Sequence, residues 1–227
     1  MYTEKNCWMT ENCKKFKESG CPETCPKFVK MDYFYKESLL PDTKRVKMRL
    51  VLDADNADMN EYTYLSQVEK DIKNFVLSGN NIFIHSKNCG NGKSEWSIRL
   101  LQAYFNAVWA SHPLTCAGLF LSVPAYFISL KENLYTDSDY IKKLNNNILS
   151  ADIVVFDDIA TKGITQFESE QLFSIVDARV NSKKSCIFTS NMGINEMYTL
   201  LGARLASRIV NFSTEVMFTG KDKRKLR

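Results

Sequence analysis

The chain reads first as an alternation of short apolar runs and longer amphipathic stretches. Four runs stand out, Asn81 to His85, Ala117 to Ser122, Ile153 to Phe156 and Ser185 to Thr189. None alternates apolar with polar positions, so each predicts a strand buried on both faces, as in a parallel sheet covered by helices. Between them lie helical patterns, from Lys93 to about Ala110, Pro124 to Leu134, Asp139 to Leu149 and Gln166 to Ser182, and one more short strand is expected at Glu215 to Thr219. Upstream, Tyr64, Val68, Ile72 and Phe75 share one face of a helix predicted from Glu61 to Leu77, which Ser78-Gly79-Asn80 ends. Successive βαβ units of this kind predict an α/β domain. No internal repeat is apparent, and the one biased tract is the basic run from Lys221 to Arg227.

The stretch up to about Arg45 has a different texture. It holds four of the seven cysteines and shows no long apolar-periodic helix. A boundary near Pro41-Asp42-Thr43-Lys44 divides the chain into a small cysteine-rich module, 1–45, and a main domain, 46–227. The length agrees, since 227 residues at roughly 150 per domain allow one domain and an appendage. With 44% hydrophobic and 25% charged residues the composition excludes disordered and low-complexity classes. The apolar runs are far shorter than the about 20 residues of a membrane span, and the first residues lack a signal-peptide layout. A cytoplasmic protein is therefore expected, one whose cysteines serve metal or packing and not disulfides.

Chemistry concentrates after the first strand. Ser86-Lys87-Asn88-Cys89-Gly90-Asn91-Gly92-Lys93-Ser94 lies between a strand and a helix, the context a phosphate-binding loop requires. Gly90 and Gly92 can turn backbone N–H groups inward at positive φ, Asn91 lies between them, Lys93 would reach the β- and γ-phosphates, and Ser94 would hold Mg²⁺. Lys87 stands where the usual pattern has its first Gly. About 60 residues on, Asp157 and Asp158 follow a buried strand, at the end of the sheet where ligands bind in open α/β folds. Asp157 would hold Mg²⁺ and Asp158 would polarise the attacking water. Thr189-Ser190-Asn191 ends another strand with an amide able to orient that water, although the same residues are ordinary turn chemistry. Arg204 and Arg208, four apart, share a helix face.

In that order the motifs resemble the AAA+ ATPases, and most closely the DnaC/DnaI-type replicative helicase loaders, phage-encoded members included. The resemblance covers roughly residues 50 to 227. It implies ATP and Mg²⁺ as cofactors, a sensor role for Asn191, an arginine finger at Arg208 with Arg204 in support, and a second sensor arginine at Arg224. It also implies self-association through the AAA+ interfaces.

Cys7, Cys13, Cys21 and Cys25 could supply the four thiolates of a tetrahedral zinc site, which would stabilise a segment too small to fold on its own core. Free packing thiols and an iron–sulfur cluster are the alternatives, and the cysteine-rich N-terminal domain of DnaI-like loaders favours zinc. Phe28, Tyr33, Phe34 and Tyr35 then read as packing for that module or as a docking surface for a helicase. His85 reads as a packing residue at a strand end. The net charge of +4 is modest for a DNA-binding protein. Tyr126, Lys131 and Lys142 lie where loader ATPases insert their DNA-lining helices and are candidates for stacking or backbone contact with single-stranded DNA, against a plain amphipathic helix with solvated lysines.

The reading is an ATP-dependent loader of a DnaB-family helicase onto single-stranded DNA during replication initiation. The alternatives are an IstB-like transposition helper ATPase, a P-loop small-molecule kinase, and a DNA-binding zinc protein whose nucleotide never turns over.

Overall fold

The computed structural model describes Cys7, Cys13 and residues 25–45, 57–133 and 138–223. Helix α1 runs Pro26–Glu37, α2 Met59–Lys70, α3 Ile72–Leu77, α4 Lys93–Val108, α5 Val123–Glu132, α6 Asp139–Ser150, α7 Gln166–Asn181, α8 Ile194–Leu201 and α9 Ala203–Asn211. The strands are β1 Ile82–His85, β2 Gly118–Ser122, β3 Ile153–Asp157, β4 Ser185–Ser190 and β5 Thr214–Met217. All pairings are parallel, in the order β2-β3-β4-β1-β5.

The three central strands β3, β4 and β1 are buried at every residue, whereas the edge strands expose part of theirs. That is why the interior runs lack alternation: each faces apolar helices on both sides. One face packs Ile82, Ile84, Val155 and Ile187 against α1 to α4, and the other packs Phe83, Val154, Phe156 and Phe188 against α5 to α9.

Local chemistry sets the ends. Pro26 and Pro124 sit in the first turns of α1 and α5, where a missing N–H costs nothing. Thr165 and Glu168 close a capping box on α7. The helix expected from Glu61 to Leu77 is two helices, because Asp71 leaves helical geometry at φ −113° and ψ 29°. α8 was not foreseen from the apolar pattern.

The first stretch does contain a helix of three turns, α1, contrary to the reading of its pattern. Its repeat is short, but Met31, Phe34 and Tyr35 are buried. Phe34 and Tyr35 meet Phe105 of α4 at ring distances of 5.5 and 5.6 Å. The Tyr33 hydroxyl donates to Leu114 O at 2.9 Å, and Phe120 N of edge strand β2 donates to Ser38 O at 2.7 Å. The aromatics of this stretch thus pack α1 onto the main domain and cover a sheet edge that would otherwise present unpaired groups. Residues 46–56, just beyond the expected module boundary, lie outside the described residues.

At the N-terminal rim of the sheet, Arg179 of α7 is fully buried. Its guanidinium donates to Ile148 O, Ala151 O and Ser185 O at 2.6, 2.8 and 2.7 Å, and its Nε to Cys186 Sγ at 3.4 Å. Beside it the Asp152 carboxylate accepts from Tyr104 Oη at 2.7 Å and Lys184 Nζ at 2.8 Å, with His112 Nε2 at 3.0 Å. Burial pushes the Asp152 pKa up, but the hydrogen bonds from Lys184 and Tyr104 more than offset this and hold it below the usual carboxylate range.

Candidate nucleotide site

At the opposite rim, β1 runs into residues 86–92 and then α4. Gly90 and Gly92 have φ of +73° and +103°, the left-handed geometry that a side chain would strain. The loop is fastened at its base, where Ser86 N donates to Ser190 O at 3.2 Å. Ser86 Oγ accepts from Asn88 N at 3.0 Å and from Asn91 Nδ2 at 2.6 Å. Lys93, only 5% exposed, curls back into the loop and donates from Nζ to Asn88 O at 2.9 Å and Asn91 Oδ1 at 3.2 Å. The fully buried Asn91 is therefore the residue that aims the lysine. An ammonium held on neutral acceptors at a helix N-terminus is suited to exchange them for phosphate oxygens.

The acidic side is built by β3 and β4. Asp157 is 8% exposed, and its Oδ1 accepts from Thr189 Oγ1 at 2.7 Å. Burial raises its pKa, the neighbouring Asp158 adds to the rise, and hydrogen bonds from Thr189 and Ser94 oppose it. The chain then leaves β3 through two left-handed residues, Asp158 at φ +57° and Ala160 at φ +63°. Strain of that kind, on the order of 1 kcal/mol each, persists only where the surroundings enforce it. Here β4 does so: Asp158 N donates to Thr189 Oγ1 at 3.0 Å, Ile159 N to Thr189 O at 2.9 Å, and Ser190 Oγ to Ile159 O at 2.8 Å. Asn191 Nδ2 lies 3.4 Å from Asp158 Oδ1.

The Ser94 hydroxyl and the Asp157 carboxylate interact and are both hard oxygen donors, as Mg²⁺ prefers, so the residues fit the metal. Mg²⁺ bound there would neutralise charge on the phosphates, and Asp158 with Asn191 would face the position of an attacking water.

The fold thus gathers Gly90, Asn91, Gly92, Lys93, Ser94, Asp157, Asp158 and Asn191 at one rim. It adds Thr189, which sequence reasoning treated only as part of a strand end. The signal was a hydroxyl one residue before the Ser-Asn pair, but its bridging of both acidic residues depends on β3–β4 register. Lys87 extends away from the loop to Glu196 Oε1 of α8, at 3.2 Å. His85 packs as expected, stacked on Phe83 at 4.9 Å, and also meets Glu215 Oε1 at 2.6 Å.

Other candidates lie apart. Arg208 pairs with Asp177 of α7 and stacks on Phe212, and Arg204 covers the Phe173 ring at 4.5 Å. Neither reaches the phosphate loop of its own chain. Tyr126 cannot offer a stacking surface: it is 3% exposed, its hydroxyl donates to Asn145 Oδ1 at 3.0 Å, and burial pushes its pKa up to about 12. The apolar core of α5 claims this ring because it falls on the face packed toward β2. Lys131 is tied to the buried Glu168 at 2.9 Å, while Lys142 is exposed on α6. Cys7, Cys13 and Cys25 are in no disulfide, Cys21 and Arg224 lie outside the described residues, and no group of three metal-ligating side chains occurs among the described residues. No described helix is long and apolar enough to cross a membrane.

A parallel sheet in this strand order, with a phosphate loop after β1, an acidic pair after β3 and a polar amide after β4, defines an ATP-binding protein of the AAA+ ATPase class. Comparison with known proteins narrows this. Residues 45–225 match the IstB-like ATP binding protein family, and the chain belongs to it. The replicative helicase loader DnaC of Escherichia coli (strain K12) is 24% identical over 157 residues, covering 68% of this chain and 57% of that protein. The chain thus spans little more than half the length of the curated relatives it matches. Among solved structures, the DnaC helicase loader superposes with a TM-score of 0.62 at 16% identity, over 82% of this chain and 98% of that one. DnaI gives 0.63 at 16% identity, over 84% and 100%. AMPPCP-bound DnaA from Aquifex aeolicus gives 0.55 at 19% identity, over 78% and 51%. At these identities the structural likeness establishes the fold.

Proposed function

We propose that this protein is an ATP-dependent loader of a replicative DnaB-family helicase. The observation that carries the reading is the assembled phosphate loop and acidic pair in a chain similar to the helicase loader DnaC. ATP binds through Gly90, Asn91, Gly92, Lys93 and Ser94, Mg²⁺ through Ser94 and Asp157, and Arg224 senses the nucleotide. Asp158 polarises the attacking water and Asn191 orients it. Arg208, with Arg204 in support, completes the site of a neighbouring copy. Hydrolysis is slow and stimulated by DNA or partner, and it switches the protein from a gripping to a releasing state.

The finer parts belong to the same reading. Cys7, Cys13, Cys21 and Cys25 bind one zinc and shape the helicase-docking module. Single-stranded DNA runs along α5 and α6, where Lys142 and the half-exposed Tyr140 stand in place of the buried Tyr126.

The test is light-scattering chromatography of the full chain with its host's DnaB-family helicase, with and without Mg²⁺-ATP. A complex that forms, and that Cys21→Ala/Cys25→Ala abolishes, supports the loader and its docking module. The family match keeps the transposition helper as a second reading. Absence of a complex in every nucleotide state, with tight ATP-dependent binding of duplex DNA instead, would decide for it.

A further inference from the structure

The segment after β5 crosses the phosphate loop, and none of the roles above uses what the described part of it does there. Thr219 N and Oγ1 and Gly220 N donate to Oδ1 of the buried Asp58, at 2.7, 3.0 and 3.1 Å, at the start of α2. Asn88 of the loop donates from Nδ2 to Thr219 O and Gly220 O at 3.0 and 3.1 Å. Lys223 N donates to Gly90 O at 2.9 Å. Asp222 lies so close that a Cβ on Gly90 would come within 2.0 Å of its Oδ1.

The last described residue, Lys223, is 6% exposed. Its ammonium lies 4.6 Å from the centroid of the Tyr62 ring and bonds the Tyr62 hydroxyl, with no carboxylate partner among the described residues. Tyr62, on α2, is wedged against Trp96 at 5.5 Å and Phe218 at 5.3 Å. Its hydroxyl lies 3.5 Å from Asn91 O, within reach to donate to it. A buried ammonium is expensive unless its neighbours stabilise it, and an aromatic face with a hydroxyl acceptor does so without cancelling the charge. A continuous chain of contacts therefore runs Lys223, Tyr62, Asn91, Lys93.

We propose that Tyr62 and Lys223 are positioning residues for nucleotide binding: their contact latches residues 218–223 across the phosphate loop and holds Asn91, and through it Lys93, ready for phosphates. The proposal rests on the loop being the nucleotide site. The latch acts on the loop and not on the phosphates, so it sets affinity by preorganisation.

The test is titration of the full chain with a fluorescent ATP analogue and Mg²⁺, alongside thermal unfolding. Lys223→Met and Tyr62→Phe each weaken binding about ten-fold, and the double variant weakens it no further, because one latch is broken in each case. Lys223→Arg, which keeps the cation over the ring, restores affinity to within about three-fold of wild type. A purely structural role would instead lower the melting temperature and leave affinity within about two-fold, which overturns the proposal, as do single effects that multiply in the double variant. Should Lys223→Met fail to fold, Tyr62→Phe, which retains the ring, decides alone. Lys93→Ala separates the two readings: if it binds like wild type, the nucleotide site itself is wrong, whereas its loss of binding beside an unaffected Lys223→Met removes only the latch.

Discussion

Both rims of the sheet bury charged side chains, but they treat them in opposite ways. At the N-terminal rim Arg179 and Asp152 have their hydrogen-bonding capacity taken up by carbonyls, a tyrosine and a lysine, and Asp152 ionises more readily than usual. At the C-terminal rim Asp157 is pressed beside Asp158 and ionises less readily, the backbone turns left-handed, and Lys93 rests on neutral acceptors. A charge satisfied within the chain contributes to stability. A carboxylate destabilised by burial beside a like charge is poised for a ligand.

Four substitutions test this contrast, the largest effect first. Arg179→Met leaves the carbonyls of Ile148, Ala151 and Ser185 buried without their donor, and should cost about 3–5 kcal/mol in urea unfolding. Nucleotide affinity of the folded protein should stay within about two-fold, since the sites are distant. An affinity loss as large as the stability loss would mean the rims are not separable.

Thr189→Val, nearly isosteric, removes the hydroxyl that serves both Asp157 and Asp158. Hydrolysis should slow roughly 10- to 100-fold, or about 1.4–2.7 kcal/mol of barrier, while unfolding free energy falls by about 1 kcal/mol. The reverse ratio in ATPase and unfolding assays would make Thr189 a packing residue only.

The smallest effect is in pH dependence, where the signs differ. The lowered pKa of Asp152 contributes stability that is present above its unfolded value and lost as pH falls through its folded one. The raised pKa of Asp157 contributes stability that is present below its unfolded value and lost as pH rises through its folded one. Asp152→Asn should therefore flatten the acid-side loss of stability that sets in below about pH 5. Asp157→Asn should be more stable than wild type near neutrality, with the difference closing on acidification. Parallel pH profiles for the two variants would contradict the contrast.

The parallel sheet was legible because Ile153 to Phe156 and Ser185 to Thr189 are apolar on both faces, and a sheet covered on both faces leaves no other pattern. The phosphate loop was legible because its chemistry is local: Gly90, Gly92, Lys93 and Ser94 act within five residues of one another. α1 was not, since Met31, Phe34 and Tyr35 gain their meaning from Phe105, about 70 residues away. Tyr126 was misjudged for the same reason, because an aromatic beside lysines looks like a surface platform until the packing of α5 on β2 takes its ring inside.

The sequence by itself determined the class of fold, the phosphate loop and the identity of the acidic pair, all properties of short contiguous segments. Tertiary structure alone decided that Thr189 bridges that pair, that Arg208 pairs with Asp177, and that Lys223 returns to Tyr62 across 161 residues. Such contacts are set by strand register and by which helix face the core claims, and a one-dimensional pattern records neither.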